Sequence, residues 1–180
     1  MKIIIEFFTY WHCGSGTSGG SRVDALVAKD KNGLPYIPGK TLKGHIREMA
    51  ESLGDCKFLN LCFGGTADEN EPCYKIEDKE KEGVCYFSNA VLKESVNKDL
   101  TSYLYKTISA TKIDEKGLAV DKSLREIEVT VPLTLHATIE DCPDSYKDKM
   151  KKAIRQIKRI GLNRSRGLGR CEIYVEGEKR

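Results

Sequence analysis

Arg125-Glu126-Ile127-Glu128-Val129-Thr130-Val131-Pro132-Leu133-Thr134-Leu135-His136-Ala137-Thr138-Ile139-Glu140 alternates along its whole length. Apolar side chains hold seven successive odd positions from Ile127 to Ile139, and the even positions are mostly charged or hydroxylated. Period-two alternation puts one set on a buried face and the other in water, so the segment reads as a single long strand. Pro132 has no N–H to give a ladder, which predicts an edge or a bulge there.

The rest of the chain falls into order around that strand. Lys2 to Tyr10 is rich in isoleucine and aromatics and reads as a buried first strand. Val23 to Ala28 is a short second strand or edge hairpin, and Lys31-Asn32-Gly33 is a turn. Pro35 and Pro38 keep the chain extended up to Gly39. From there Leu42, Ile46, Met49, Ala50 and Leu53 form one helical stripe, with Thr41 as its expected cap and Gly54 as its stop. Residues 55–83 are polar and irregular and read as an inserted loop. Val84 to Ser88 is a short strand, and Tyr103 to Val120 carries the mixed signals of a protruding hairpin. Tyr146, Met150, Ala153, Ile154, Ile157 and Ile160 predict a second helix over about 144–160, ended by Gly161, and Cys171 to Val175 is a last strand. Strand, helix, strand, strand, helix, strand is the order of an α+β, ferredoxin-like (RRM-like) βαββαβ sheet, with helices on one face. Many unrelated functions share that architecture.

Composition excludes some classes. No stretch among the 180 residues approaches the roughly 20 apolar residues of a bilayer span. The apolar run at Met1-Lys2-Ile3-Ile4-Ile5 is too short for a secretory signal, so a cytoplasmic location is expected. In that setting seven cysteines argue for reduced thiols or metal and against a disulfide scaffold. The net charge of +3 does not by itself announce nucleic acid, but the charge is unevenly spread. Between Lys147 and Arg170 ten basic residues face one acid, Asp148. Such a run reads either as a solvated helix face or as a phosphate-attracting field.

Two segments carry the chemistry. Lys40-Thr41-Leu42-Lys43 opens a helix whose free N–H groups suit an anion, and Lys43 and Arg47 share a face off the apolar stripe. Asn163-Arg164-Ser165-Arg166-Gly167-Leu168-Gly169-Arg170 joins glycines, which let backbone approach a ligand, to arginines that pair with phosphate or stack on bases. The expectation is one surface on which Lys43, Arg47 and residues 164–170 meet a polynucleotide.

These residues resemble a family. Ile37-Pro38-Gly39-Lys40-Thr41-Leu42-Lys43-Gly44-His45-Ile46-Arg47 is similar to the first signature of the RAMP superfamily. Cys62-Phe63-Gly64 and Tyr86-Phe87-Ser88-Asn89-Ala90 look like its phenylalanine-glycine and strand segments, and Gly161 to Arg170 looks like its C-terminal glycine-rich loop. The resemblance covers nearly the whole chain, as a single domain over 1–180, and is strongest to the backbone subunit of type III CRISPR effectors. It implies that copies of the chain line guide CRISPR RNA alongside other effector subunits, and that a thumb-like β-hairpin, about residues 108–124, interrupts pairing with target RNA. It further implies that Asp24, six residues before Asp30, cuts target RNA with Mg²⁺ or another divalent ion. RNA-binding roles then fall to His12, Lys40, Thr41, Lys43, Arg47, Arg164, Arg166 and Arg170, with Tyr10 or Trp11 able to stack on a base. The chain is short for a backbone subunit and the tryptophan is more like that of cap-like subunits, so the alternative is a non-catalytic RNA-binding structural subunit, either an inactive backbone copy or an end cap. A standalone RNA-processing endonuclease with His12 as general base is a third reading. Some backbone relatives carry a zinc knuckle in the 55–83 region. No cysteine pair here has the close C-x₂₋₄-C spacing, so thiols in a small core are expected there and zinc is not.

Overall fold

The computed structural model describes residues 1–16, 23–66, 68–70, 73–76, 81–94 and 96–178. Its elements are β1 (Lys2–Phe7), α1 (Gly39–Glu51), α2 (Cys56–Phe63), β2 (Tyr86–Phe87), β3 (Tyr105–Ala110), β4 (Arg125–Thr130), β5 (Thr134–Glu140), α3 (Lys147–Gln156) and β6 (Cys171–Val175), with short 3₁₀ turns between some of them. A four-stranded antiparallel sheet has the order β2-β5-β1-β6, and β3 and β4 form a separate two-stranded ladder. With α1 between β1 and β2 and α3 between β5 and β6, the main sheet has the expected βαββαβ order.

The core lies between that sheet and its helices. Ile3, Ile5, Leu135, Ala137, Ile139 and Ile173 turn inward from the strands, against Leu42, Ile46 and Ala50 of α1 and Met150, Ala153 and Ile154 of α3. Burying each of the larger aliphatic side chains contributes about 1.5–3 kcal/mol. The lone tryptophan belongs to this core. Trp11 is fully buried, stacks on Phe7 at 4.6 Å and donates its indole N–H to Val131 O at 3.0 Å, so it offers no face to a base.

Several boundaries differ from the sequence expectation. The alternating segment 125–140 is two strands in two sheets. Its alternation runs unbroken through Val131-Pro132-Leu133, but at Pro132 the chain leaves the β3–β4 ladder and enters the main sheet. The second helix stops at Gln156, and Ile157 and Ile160 stay buried as extended chain. Residues 23–29 make single bridges rather than a regular strand: Ala25 to Ile127, Val27 to Gly14, Lys29 to Pro35. The inserted region contains α2, capped by the Asp55 carboxylate, which accepts from Phe58 N. Cys56 and Cys73 in this region are joined by a disulfide, where reduced thiols were expected. Rules based on compartment carry no information on which thiols a fold sets side by side. Among the described residues no helix is long and apolar enough to cross a membrane.

The entry to α1 also differs. Thr41 does not cap the helix, which begins two residues earlier, at Gly39, after Pro38. The Gly39 N–H goes instead to the side-chain oxygen of Asn89, 2.8 Å away beside β2. A Cβ on Gly39 would lie 2.1 Å from Phe87 O, so the proline-glycine turn fits only because α1 starts directly against the β2 backbone.

Candidate nucleic-acid interface

Beyond Phe7 the first strand runs on as Tyr10-Trp11-His12-Cys13 and becomes the hub of three segments. Trp11 exchanges both backbone hydrogen bonds with Thr130 at the end of β4, at 3.1 and 2.8 Å. Leu162 N donates to His12 O at 2.9 Å and Gly169 N donates to Tyr10 O at 2.7 Å, which fastens the glycine-rich loop to the same stretch. Gly161 has φ +97, and a Cβ there would stand 2.2 Å from His12 O, so this approach also requires glycine. His12 itself is 3% exposed. Its Nδ1 lies 2.6 Å from Glu128 O, and because a carbonyl only accepts, Nδ1 carries the proton. His12 therefore ties the first strand to the hairpin and has no surface to offer a phosphate.

The hub sets the glycine-rich loop beside the β3–β4 hairpin, with a groove between the loop and the turn-side half of the ladder. One part, about 540 Å³, is lined by Ala110, Thr111, Lys112, Lys122, Ser123, Arg125 and Arg166. An adjoining part of about 340 Å³ shares Ala110, Arg125 and Arg166 and adds Ile108, Ile127, Leu162, Asn163 and Leu168. The groove thus has an aliphatic floor and a rim of four cations, Lys112, Lys122, Arg125 and Arg166. None of these four is paired with a carboxylate among the described residues. A concave, uncompensated positive rim beside an apolar floor suits a chain of phosphates whose bases turn inward.

Asp24 lies along β4 from this groove. Its N–H donates to Glu126 O at 2.8 Å, and its Oδ2 accepts from Glu126 N at 2.7 Å. The side chain is exposed. Val27 N donates to the Glu128 carboxylate at 3.1 Å, and Lys29 Nζ pairs with the same group at 2.7 Å. The Asp24-bearing segment is thereby laced to β4, on the edge away from β3. Asp30, the other member of the spaced pair, is committed to its own turn and accepts from Asn32 N and Leu34 N. In the glycine-rich segment Cys13-Gly14-Ser15-Gly16-Thr17-Ser18-Gly19-Gly20, residues 17–20 lie outside the described residues.

The α1 cations do not join this groove. Lys40 is exposed, Thr41 and Lys43 are half-buried, and Arg47 donates to Glu51 and to Gly64 O at 2.9 Å, on the flank facing the end of α2. The other flank carries His45 and Glu48, and Arg164 docks there. Its two terminal nitrogens reach both Glu48 oxygens at 3.0 and 3.2 Å, and one of them also lies 3.3 Å from His45 Nδ1. Arg164 holds the Glu48 carboxyl below its usual range, while burial, followed by the Arg164 charge, holds the His45 imidazole below its own. The expected single surface is therefore divided. Arg164 latches the glycine-rich loop to one side of α1, Lys43 and Arg47 lie on the other, and Arg166 faces the hairpin groove. Arg170 is exposed near the Phe8 ring, 5.9 Å from its centre.

A protein-family model described as the RAMP superfamily matches residues 4–172. The chain belongs to the RAMP superfamily. Two solved structures share its fold. One, described as a cryo-EM structure of the type III-B Cmr-beta bound to cognate target RNA, contains a chain 11% identical with a TM-score of 0.69, covering 96% of this chain and 95% of that one. The other, the type III-B Cmr-beta in the apo state, contains a chain 14% identical with a TM-score of 0.67, covering 98% and 97%. No curated protein matches the sequence at a significant level.

Within this RAMP protein half of the ten basic residues in the run 147–170 are spent on ion pairs. Lys147 pairs with Asp144, Lys149 with Asp55, Lys151 and Arg155 with Glu178, and Arg164 with Glu48. The rim cations Lys112, Lys122 and Arg125 escape a reading by charge density, because they are scattered along the hairpin and meet only when it folds back. The sequence signal for them was the hairpin itself.

Proposed function

We propose that this RAMP protein is a guide-RNA-binding backbone subunit of a type III-like CRISPR effector complex, and that it cleaves target RNA beside the β3–β4 hairpin. The observation that carries this reading is the groove between the turn-side half of the hairpin and the glycine-rich loop. Its four cations, unpaired with a carboxylate among the described residues, suit an RNA backbone, and the hairpin that forms one wall projects where it can part a guide–target duplex. The fold likeness to chains of Cmr-beta, one bound to cognate target RNA, supports an RNA-bound assembly of several subunits.

Asp24 is the catalytic candidate. Its Oδ2 is held by Glu126 N, which leaves one oxygen to meet a cation. That donor set suits Mg²⁺, which is commonly bound through one or two carboxylates plus substrate phosphate oxygens, and it does not form a preformed cage. A bound divalent ion would stabilise charge developing on the phosphate during in-line attack by the neighbouring 2′-OH. The chain itself fixes where that carboxylate sits, at a set distance along β4 from the phosphate-binding rim.

A specific observation favours the second reading, a non-catalytic backbone copy or end cap. Among the described residues Asp24 belongs to no group of three or more converging metal-ligating side chains. Reconstitution with guide RNA and partner subunits, followed by cleavage of complementary RNA with and without Mg²⁺, decides between them. Cleavage that Asp24→Asn abolishes while guide binding persists supports the first reading. RNA-bound but inert complexes support the second.

A further inference from the structure

Cys62 on α2, Cys85 just before β2 and Cys142 just after β5 are far apart in the chain, yet their three sulfurs lie within 4.8 Å of one another. Cys62 and Cys85 are buried, Cys142 is half-buried, and none of them is in a disulfide. The backbone builds this convergence. Val84 N donates to Leu61 O at 2.8 Å and Cys85 N to Cys62 O at 3.2 Å, so the chain entering β2 runs alongside the end of α2. At the end of β5, Asp141 takes a left-handed φ of 55 and reverses the chain into Cys142.

We propose that Cys62, Cys85 and Cys142 bind one Zn²⁺, with water in the fourth position on the solvent side of Cys142. Tetrahedral zinc–thiolate bonds of about 2.3 Å place sulfurs about 3.8 Å apart, a spacing the three reach with a small inward shift. The usual signature of a structural zinc site, two cysteines a few residues apart, is missing here because each ligand comes from a different element. On binding, three S–H bonds break, three Zn–S bonds form and three protons pass to solvent, with no change of oxidation state. The product carries one net negative charge.

The site has a structural use. β2 is two residues long, and its ladder to β5 consists of Tyr86 opposite Glu140 and Phe87 opposite Ile139. A metal joining α2, the entry to β2 and the exit of β5 clamps this short edge strand and the inserted region to the sheet. That edge also supplies Asn89, which holds the first N–H of α1.

The test uses the full chain purified under reducing conditions, with metal content measured by mass spectrometry and Co²⁺ titrated into the stripped protein. The expected result is one zinc per chain and a thiolate-to-Co²⁺ charge-transfer band. Cys142→Ser, at the half-exposed position, should weaken zinc at least about a hundredfold in chelator competition, the upper range seen when only an outer-shell partner is lost. Cys171→Ala, remote from the cluster, should leave it unchanged. If Cys85→Ser does not fold, the wild-type chain still carries the test, because chelation should lower its melting temperature and added zinc should restore it. A metal-free chain with no Co²⁺ band overturns the proposal. So does undiminished zinc affinity in Cys142→Ser, or a disulfide among the three in protein kept reduced.

Discussion

Asp24 and Glu126 hold each other twice, through Asp24 N to Glu126 O at 2.8 Å and Glu126 N to Asp24 Oδ2 at 2.7 Å. The side chain that would act on RNA is also part of the lacing between residues 23–29 and β4. Alanine at this position removes both roles, so it cannot separate them. Asparagine keeps an oxygen for Glu126 N and loses only the charge. Asp24→Asn should stay within about 0.5 kcal/mol of wild-type stability, as surface changes that keep their hydrogen bond do. Target cleavage by the assembled complex should fall by about 10²–10³, the usual loss when one preorganised electrostatic group is removed. Single-turnover cleavage and urea unfolding, measured on the same preparation, check both halves. Intact cleavage in Asp24→Asn would end the catalytic assignment.

The groove predicts how RNA affinity depends on salt. Lys112, Lys122, Arg125 and Arg166 have no carboxylate partner among the described residues, so each is free to neutralise a phosphate. For single strands, each such contact contributes roughly 0.7 to the slope of log K against log salt. Changing Lys122 and Arg166 together to glutamine should flatten that slope by about 1.4 and weaken binding uniformly across RNA sequences. Arg164→Gln should change the slope far less, because Glu48 already compensates that charge. Filter binding over a series of salt concentrations tests this, and equal effects of Arg164 and Arg166 would dissolve the distinction.

The contrast between Arg164 and Arg166 also marks how far the sequence can be read. Their loop was legible as basic and glycine-bounded, and the alternation at 127–139 and the stripe from Leu42 to Ala50 were legible as core. These are local periodicities that burial enforces. The break at Pro132 was not visible, because the chain changes sheets without changing which residues are buried. The partners of Arg47, Arg164 and Lys149 were not visible either, since Gly64, Glu48 and Asp55 reach them only through packing of α1, α2 and α3. His12 enters the sequence reading only through the family resemblance. Its burial under the glycine-rich loop depends on contacts nearly the whole chain apart.

Two glycines of the first helix should respond in opposite ways to alanine. At Gly39 a Cβ would stand 2.1 Å from Phe87 O, a backbone atom that cannot move without disturbing β2. At Gly44 no atom lies within 4 Å of the added Cβ, and φ is not left-handed. Gly44→Ala should therefore stabilise the protein by about 0.5–1 kcal/mol through helix propensity and reduced unfolded-state freedom. Gly39→Ala should destabilise it by more than that, because overpacking against backbone costs about 1–3 kcal/mol. Thermal unfolding of the two variants gives the signs directly. If Gly44→Ala instead lowers RNA affinity while raising stability, the exposed flank of α1 also approaches a ligand.

The latch between Arg164 and α1 should weaken in acid. Arg164 holds the Glu48 carboxyl below its ordinary value of 4.5, so the folded state favours the ionised form. Stability from that group is present above 4.5 and is lost as pH falls through the lower, folded value. His45 is held below 6.5 by burial and then by the Arg164 charge, so the fold favours its neutral form. Its contribution is likewise present above 6.5 and is lost on acidification through its folded value, and the two effects add. Arg164→Gln should cost about 0.5–1 kcal/mol near neutral pH, the range for a partly exposed pair, and the deficit should close below the folded midpoint of Glu48. The same variant removes a cation beside the imidazole, so the His45 midpoint followed by NMR should rise toward 6.5. A stability deficit that persists undiminished at pH values well below 4.5, or an unmoved His45, would show that Arg164 acts on the loop by some route other than this helix.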